Sequence, residues 1–202
     1  MTDRMPRSAV VEPASSRGAA TGQAARAARD VRLRSMVEQF YAVVWRTLRR
    51  LGVAHADAED VAQEVFVSAS SRLAQIEVGK ERAFLLAVAV HHAAHAHRSR
   101  LRRREIVGAS LPEAPHPAPG PEDLADRARA RELLYRLLDE IPFDLRAVFV
   151  LYEIEQMTMA EIATSLELPS GTVASRLRRA REGFLELARG STEIEELRGE
   201  TQ

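Results

Sequence analysis

Leu33, Val37, Phe40, Val44, Leu48 and Leu51 step along the chain by three or four residues. That stripe predicts an amphipathic helix starting near Asp30, and Gly52 predicts its end. A second helix opens near Asp57 with Val61, Val65, Ala69 and Leu73 on one face, and a third opens near Lys80 through Phe84, Leu85 and Val88. Helical spacing resumes at Leu124 and runs to about Ala188, with breaks at Pro142, near Gln156 and at Pro169. No alternating strand pattern bounded by turn signals appears, so the pattern predicts an all-α chain.

Between the two helical runs lie Pro112, Pro115, Pro117, Pro119 and Pro121, five of the nine prolines in the chain. Proline lacks the backbone N–H and cannot continue a helix, so this stretch predicts an extended tether. The organisation that follows is a disordered leader over 1–28, an N-terminal helical domain over 29–106 and a Pro-rich linker over 107–122. A C-terminal helical domain over 123–189 and an acidic tail over 190–202 complete it. The fold class is all-α: two small helical domains joined by a Pro-rich linker, the second containing a helix-turn-helix.

Composition removes whole classes of chemistry. The 202 residues include no cysteine, which excludes disulfides, thiolate metal sites and cysteine nucleophiles. No stretch approaches the roughly 18 apolar residues of a membrane span, and no signal-peptide core is present. The expectation is a cytoplasmic protein that is not membrane-inserted. Formal net charge is zero, but the charges are segregated into local clusters, and local fields decide what a surface binds.

The most informative stretch is Thr158 to Leu187. Thr158 and Glu161 have the spacing of a capping box. The helix it starts turns Ile162 and Leu166 inward, with Ala163 small enough for a close crossing. Pro169 ends the turn, and Ser170 is a plausible N-cap for the next helix. There Val173 and Leu177 face the core. Thr172, Ser175, Arg176 and Arg179 point outward. The second helix of a helix-turn-helix enters the major groove with its N-terminal residues near base edges. Ser170, Thr172 and Ser175 suit base edges or nearby phosphates; Arg176, Arg178, Arg179 and Arg181 suit phosphates, and one could pair with a guanine. The plainer reading of the arginines is a solvated face of an ordinary helical hairpin.

Ile141-Pro142, Arg146, Val148, Phe149 and Leu151, followed by Glu161-Ile162-Ala163, Leu166, Pro169, Gly171-Thr172-Val173, Ser175-Arg176-Leu177 and Arg179-Ala180-Arg181, closely resemble the C-terminal domain of the extracytoplasmic-function (ECF) bacterial sigma factors. The resemblance implies a domain that reads the upstream (−35) promoter element.

In the N-terminal half, Asp57, Glu59, Asp60, Gln63 and Glu64 form an acidic cluster. The first three suit the positive end of a helix dipole. Glu64 lies beyond that turn and shares a face with Asp60, beside Gln63 and Phe66, which suits docking on a basic partner. Ala58-Glu59-Asp60-Val61-Ala62-Gln63-Glu64-Val65-Phe66 resembles the family segment that docks on bacterial core RNA polymerase, which assigns Asp60, Gln63, Glu64 and Phe66 to that contact. The third helix departs from the family. Where relatives carry Trp-Leu, Ala-Arg-Asn and Asp, this chain reads Phe84-Leu85, Ala89-Val90-His91 and His95. The family uses this helix and the loop before it to capture unstacked bases of the −10 element. His91, His92 and His95 can stack on or hydrogen-bond to such bases, and Arg98, Arg100, Arg102, Arg103 and Arg104 suit a phosphate backbone. A basic end that complements the helix dipole is the plainer reading of the arginines. His91 and His95 also have the i, i+4 spacing of a zinc pair, but no third ligand is identifiable, so neither a metal nor another cofactor is expected.

The resemblance implies a non-enzymatic specificity subunit whose partners are core RNA polymerase and promoter DNA, with an anti-sigma factor as a further candidate partner. The alternative is a conventional helix-turn-helix regulator that does not act as a polymerase subunit; it leaves the acidic docking segment unexplained.

Overall fold

The computed structural model describes residues 15–107 and 122–191, and the secondary structure among them is helical, without a strand. Helix α1 spans Ser15–Arg50, α2 His55–Ser71 and α3 Glu81–Val107, with a short 3₁₀ turn at Leu73–Gln75 before α3. Helices α4 (Glu122–Asp139), α5 (Phe143–Phe149), α6 (Met159–Ser165) and α7 (Ser170–Arg189) follow. The expected linker core lies outside the described residues, as do residues 1–14 of the leader and 192–202 of the tail.

The stops have local causes. Gly52, at φ 86°, ends α1 in a Schellman motif. Its own N–H reaches the Arg49 carbonyl and the Val53 N–H reaches the Leu48 carbonyl, each at 3.0 Å. The start of α1 differs from expectation. Residues 15–28, read as part of a disordered leader, are helical. This segment is rich in alanine, the strongest helix former, and has no apolar stripe to reveal a helix in the pattern. Residues 26–31 are accordingly exposed.

Helices α1, α2 and α3 pack together around Val44, Leu48, Leu51, Val65, Leu85 and Leu86, all essentially solvent-free. The buried face of α2 is largely alanine (Ala58, Ala62, Ala69), which lets its neighbours approach closely. Helices α5, α6 and α7 close around Leu151, Ile162, Val173, Leu177 and Ala180, with α4 adding Leu138. The two groups of helices also touch, α1 against α4 and α3 against α6, and the buried apolar residues form one continuous cluster.

Two charged side chains sit inside this cluster. Arg146 is 3% exposed. Its guanidinium pairs with the Asp139 carboxylate and donates to the Asp139 and Ile141 carbonyls. Burial pulls its pKa below the usual arginine value, Asp139 opposes that, and Arg100 adds to it. Glu155 is 4% exposed and follows a widened turn: its N–H bonds to the Val150 carbonyl five residues back at 2.9 Å. All its side-chain partners come from the N-terminal helices. Thr47 donates to its carboxylate at 2.8 Å, Arg50 at 2.6 Å and Arg82 at 2.7 Å; Arg82 also donates to the Glu155 carbonyl at 2.8 Å.

Candidate nucleic-acid interface

The helix-turn-helix is built from α6, the turn through Pro169 and α7. The Thr158 hydroxyl accepts from the Glu161 N–H at 3.2 Å, and the Glu161 carboxylate accepts from the Thr158 N–H at 2.9 Å, so both halves of the predicted capping box are present. The Thr158 backbone and hydroxyl donors hold the Glu161 carboxyl below its usual range, with Lys80 and Arg82 adding to the effect. Ile162 is fully buried, and Ala163 and Leu166 pack against the same core. Glu167 takes a left-handed conformation (φ 54°), and the Leu168 N–H folds back to the Ala163 carbonyl at 2.9 Å, which sets the short turn.

Pro169, not Ser170, caps α7. Its carbonyl accepts from the Thr172 and Val173 N–H groups at 2.9 and 3.1 Å, and Ser170 is the first helical residue. The ring already holds Pro169 at φ −59° and needs no N–H there. The Ser170 hydroxyl makes no cap bond and stays exposed.

Val173, Leu177 and Ala180 bury one face of α7, and Phe184 stacks on Phe149 with ring centres 5.1 Å apart. The opposite face exposes Ser170, Ser175, Arg178, Arg179 and Arg181; Thr172 and Arg176 are half-buried. Three of the four arginines already hold carboxylates: Arg176 with Asp144 at 3.4 Å, Arg178 with Glu182 at 3.0 Å and Arg181 with Glu153 at 2.5 Å. Arg181 also lies over the Tyr152 ring, 5.3 Å from its centre. Exposed pairs of this kind are worth up to about 1 kcal/mol, so a phosphate can displace them. Arg179 is exposed and forms no ion pair among the described residues.

On α2, Asp60, Gln63 and Glu64 are exposed together. Phe66 does not join them: it is 7% exposed and packs against Tyr41 with ring centres 6.1 Å apart. Its position falls in the buried register of Ala58, Ala62, Val65 and Ala69. The apolar member of the exposed stripe is Val67, 68% exposed, seven residues after Asp60 and three after Glu64. Sequence reasoning passed over it, although its helical position was the available signal.

On α3, His91, His95, Arg98 and Arg102 are exposed and follow one another by three or four positions, so they share a face. His92 turns toward α2 instead. One ring nitrogen lies 3.1 Å from the Glu64 carboxylate and the other 3.0 Å from the Ser68 hydroxyl. Arg100 is half-buried and reaches toward the Gly52 carbonyl at 3.4 Å. The Arg103 side chain lies outside the described residues. Among the described residues, no group of three His, Cys, Asp or Glu side chains is gathered for a metal ion.

Arg32 was not legible in the sequence. Its guanidinium donates to the carbonyls of Leu73 (3.2 Å) and Ile76 (2.7 Å) and to the Glu81 carboxylate (2.7 Å), pinning the loop before α3. Burial pushes the Glu81 carboxyl up, but the Arg32 guanidinium and the Glu81 and Gly79 N–H groups hold it below the usual range. No sequence pattern marks a donor whose partners are backbone carbonyls more than forty residues away.

Two sequence families match the chain: Sigma-70 region 2 over residues 36–103 and Sigma-70 region 4 over residues 131–182. An ECF RNA polymerase sigma-E factor from Escherichia coli is 31% identical over 143 residues, covering 65% of this chain and 74% of the relative. The chain belongs to the ECF sigma factors. A second relative, ECF RNA polymerase sigma factor SigE from Mycolicibacterium smegmatis, is 31% identical over 160 residues, and the match spans 62% of that longer protein. Among solved structures, the sigma factor RpoE in complex with the anti-sigma factor NepR from Bartonella quintana superposes with a TM-score of 0.61 at 23% identity, over 78% of this chain and 97% of that one. CnrH in complex with the cytosolic domain of CnrY gives 0.57 at 21% identity, over 79% and 89%. These two likenesses concern the fold. Among the described residues of this sigma factor, no helix is long and apolar enough to cross a membrane.

Proposed function

We propose that the chain is a promoter-specificity subunit that binds core RNA polymerase and directs it to a set of promoters. The observation that carries this reading is the pairing, in one chain, of two exposed surfaces of opposite charge: the basic face of α7 and the acidic stripe of α2. A regulator that only bound DNA would use the first and leave the second without a role.

In this reading residues 29–106 form the docking and −10 domain and 123–189 the −35 domain, joined by the proline-rich segment. Asp60, Gln63, Glu64 and Val67 meet the polymerase. Ser170, Ser175, Arg178, Arg179 and Arg181 meet the −35 duplex, joined by Thr172 and Arg176 from the edge of the groove. His91, His95, Arg98 and Arg102 line the path of the −10 strand, with Arg100 and Arg103 on the same helix. His92 ties that helix to the docking helix through Glu64. The subunit supplies recognition, and the chemistry belongs to the polymerase. The protein works in the cytoplasm, where the polymerase is, and an anti-sigma factor is a fitting partner, given that the structural neighbour RpoE is held by one.

Arg179→Ala is expected to weaken holoenzyme binding to promoter DNA and to reduce the salt slope by about one unit. Glu64→Lys is expected to lower co-elution with core polymerase while circular dichroism stays unchanged. Unchanged slope in the first and unchanged co-elution in the second would remove the two surfaces from their roles.

A further inference from the structure

We propose that Arg32, reaching across from α1, is the positioning residue that sets the loop between α2 and α3 in the shape that receives an unstacked −10 base. The proposal rests on the reading of α3 as the path of the −10 strand, and it adds to that path a residue that does not lie on it.

The loop, residues 72–80, has little packing of its own. Leu73 and Ile76 are buried, but Ala74, Gln75 and every residue from Glu77 to Lys80 are exposed, Val78 to 88%. Gly79 stands at φ 87°, with nothing within 4 Å of the place a Cβ would occupy. Apolar contact therefore fixes two points of the loop and leaves its tip free.

What fixes the rest is polar and comes from α1. The Arg32 guanidinium donates to the Leu73 and Ile76 carbonyls and to one oxygen of the Glu81 carboxylate. The other Glu81 oxygen accepts from the Gly79 N–H at 2.6 Å, so the same pair reaches the tip. Three residues before Arg32, Arg29 donates to the Ser70 carbonyl at 2.5 Å. One side of α1 thus grips the end of α2, both buried anchors of the loop and the first residue of α3. A guanidinium is a planar fork that fixes direction as well as distance, which a lysine ammonium does not. Only 30% of the Arg32 side chain is exposed, and 15% of that of Glu81, which shields the pair from solvent.

The loop so held stands beside the strand path. Gln75, Glu77 and Lys80 line one groove together with Phe84 and His91 of α3. From Glu81 to His91 the helix rises about 15 Å, roughly four nucleotide steps at the duplex spacing of about 3.4 Å. A single strand can therefore touch the loop and the histidines at once. A loop that is already set needs no ordering when the base arrives. If it held the receiving shape only one-tenth of the time, capture would weaken about tenfold.

The test uses holoenzyme assembled from core RNA polymerase and the full-length chain, on a promoter recovered by transcription from pooled genomic fragments. Permanganate reactivity of unpaired thymines reads opening, and promoter affinity is measured across a range of salt. Arg32→Ala is expected to lower opening about tenfold while co-elution with core polymerase is kept. Its salt slope is expected to be unchanged, because Arg32 points into the protein and neutralises no phosphate. Arg32→Lys keeps the charge but loses the fork, and is expected to stay impaired. Normal opening by Arg32→Ala overturns the proposal. So does joint loss of opening and co-elution, which marks a general structural role. A reduced salt slope in Arg32→Ala with full opening by Arg32→Lys identifies a direct phosphate contact and also overturns it. No opening by the wild-type holoenzyme removes the reading of α3 and the proposal with it, a failure distinct from one confined to the variants.

Discussion

Arg146 and Glu155 lie nine positions apart, are almost equally buried, and are satisfied in opposite ways. Arg146 takes its partners from Asp139 and Ile141, within seven residues of itself. Its network ties the end of α4 to the start of α5. Glu155 has side-chain partners only in the other half of the molecule. A buried charge with local partners is part of a domain's architecture. One with distant partners fixes how two groups of helices are placed against each other.

The largest expected effect separates these roles. Arg146→Met leaves the Asp139 and Ile141 carbonyls without their donor inside the core and is expected to destabilise the C-terminal helices by about 3 kcal/mol. Glu155→Gln is expected to cost about 1–2 kcal/mol, because Arg50 and Arg82 can turn to water. Urea denaturation of the full-length chain measures both. Equal losses, with the C-terminal helices melting early in both variants, would erase the contrast.

A smaller effect comes from two glycines in the same backbone conformation, Gly52 at φ 86° and Gly79 at φ 87°. A Cβ at Gly79 meets nothing within 4 Å, whereas one at Gly52 collides with the Arg146 guanidinium and the Asp139 carboxylate. Gly79→Ala is expected to cost about 1 kcal/mol from the left-handed backbone alone. Gly52→Ala is expected to cost about twice that, since it also pushes Arg146 from its partners. Equal melting temperatures for the two variants would show that the Arg146 network yields freely.

The smallest effect is acid-dependent. The Glu161 carboxyl has a lower pKa folded than unfolded, so the unfolded chain binds more protons in the acidic range and stability rises with pH there. The contribution is present above the ordinary glutamate range and is lost as pH falls through the lowered folded value. Glu161→Gln is therefore expected to flatten that part of the stability curve, as thermal melts across the acidic range would record; an unchanged curve would mean the capping box is formed equally in the unfolded chain.

What was legible in the sequence follows the same division between local and distant. The capping box, the turn at Pro169 and the inward stripe of α7 depend on residues a few positions apart, and all were readable. So was the exposure of Asp60, Gln63 and Glu64. Phe66 was misplaced by one step because aromatic character was weighed above helical register, which puts Val67 on the exposed face and Phe66 in the core. Ser170 lost the cap to Pro169, whose ring fixes the required backbone. The early start of α1 rests on alanine propensity without an apolar stripe, which periodicity cannot detect. Glu155 offered one signal, a carboxylate at the apolar register of Val148 and Leu151, but nothing pointed to Thr47, Arg50 and Arg82. Their proximity is a product of how the two halves fold together.

The most direct test of the central claim is transcription from pooled genomic fragments by bacterial core RNA polymerase with and without the purified protein. The account predicts co-elution of the protein with the core enzyme and new transcripts whose start sites share an upstream −35 box. Stable DNA binding with no co-elution and no transcripts above those of core alone would contradict it and identify a helix-turn-helix regulator that acts without becoming a polymerase subunit.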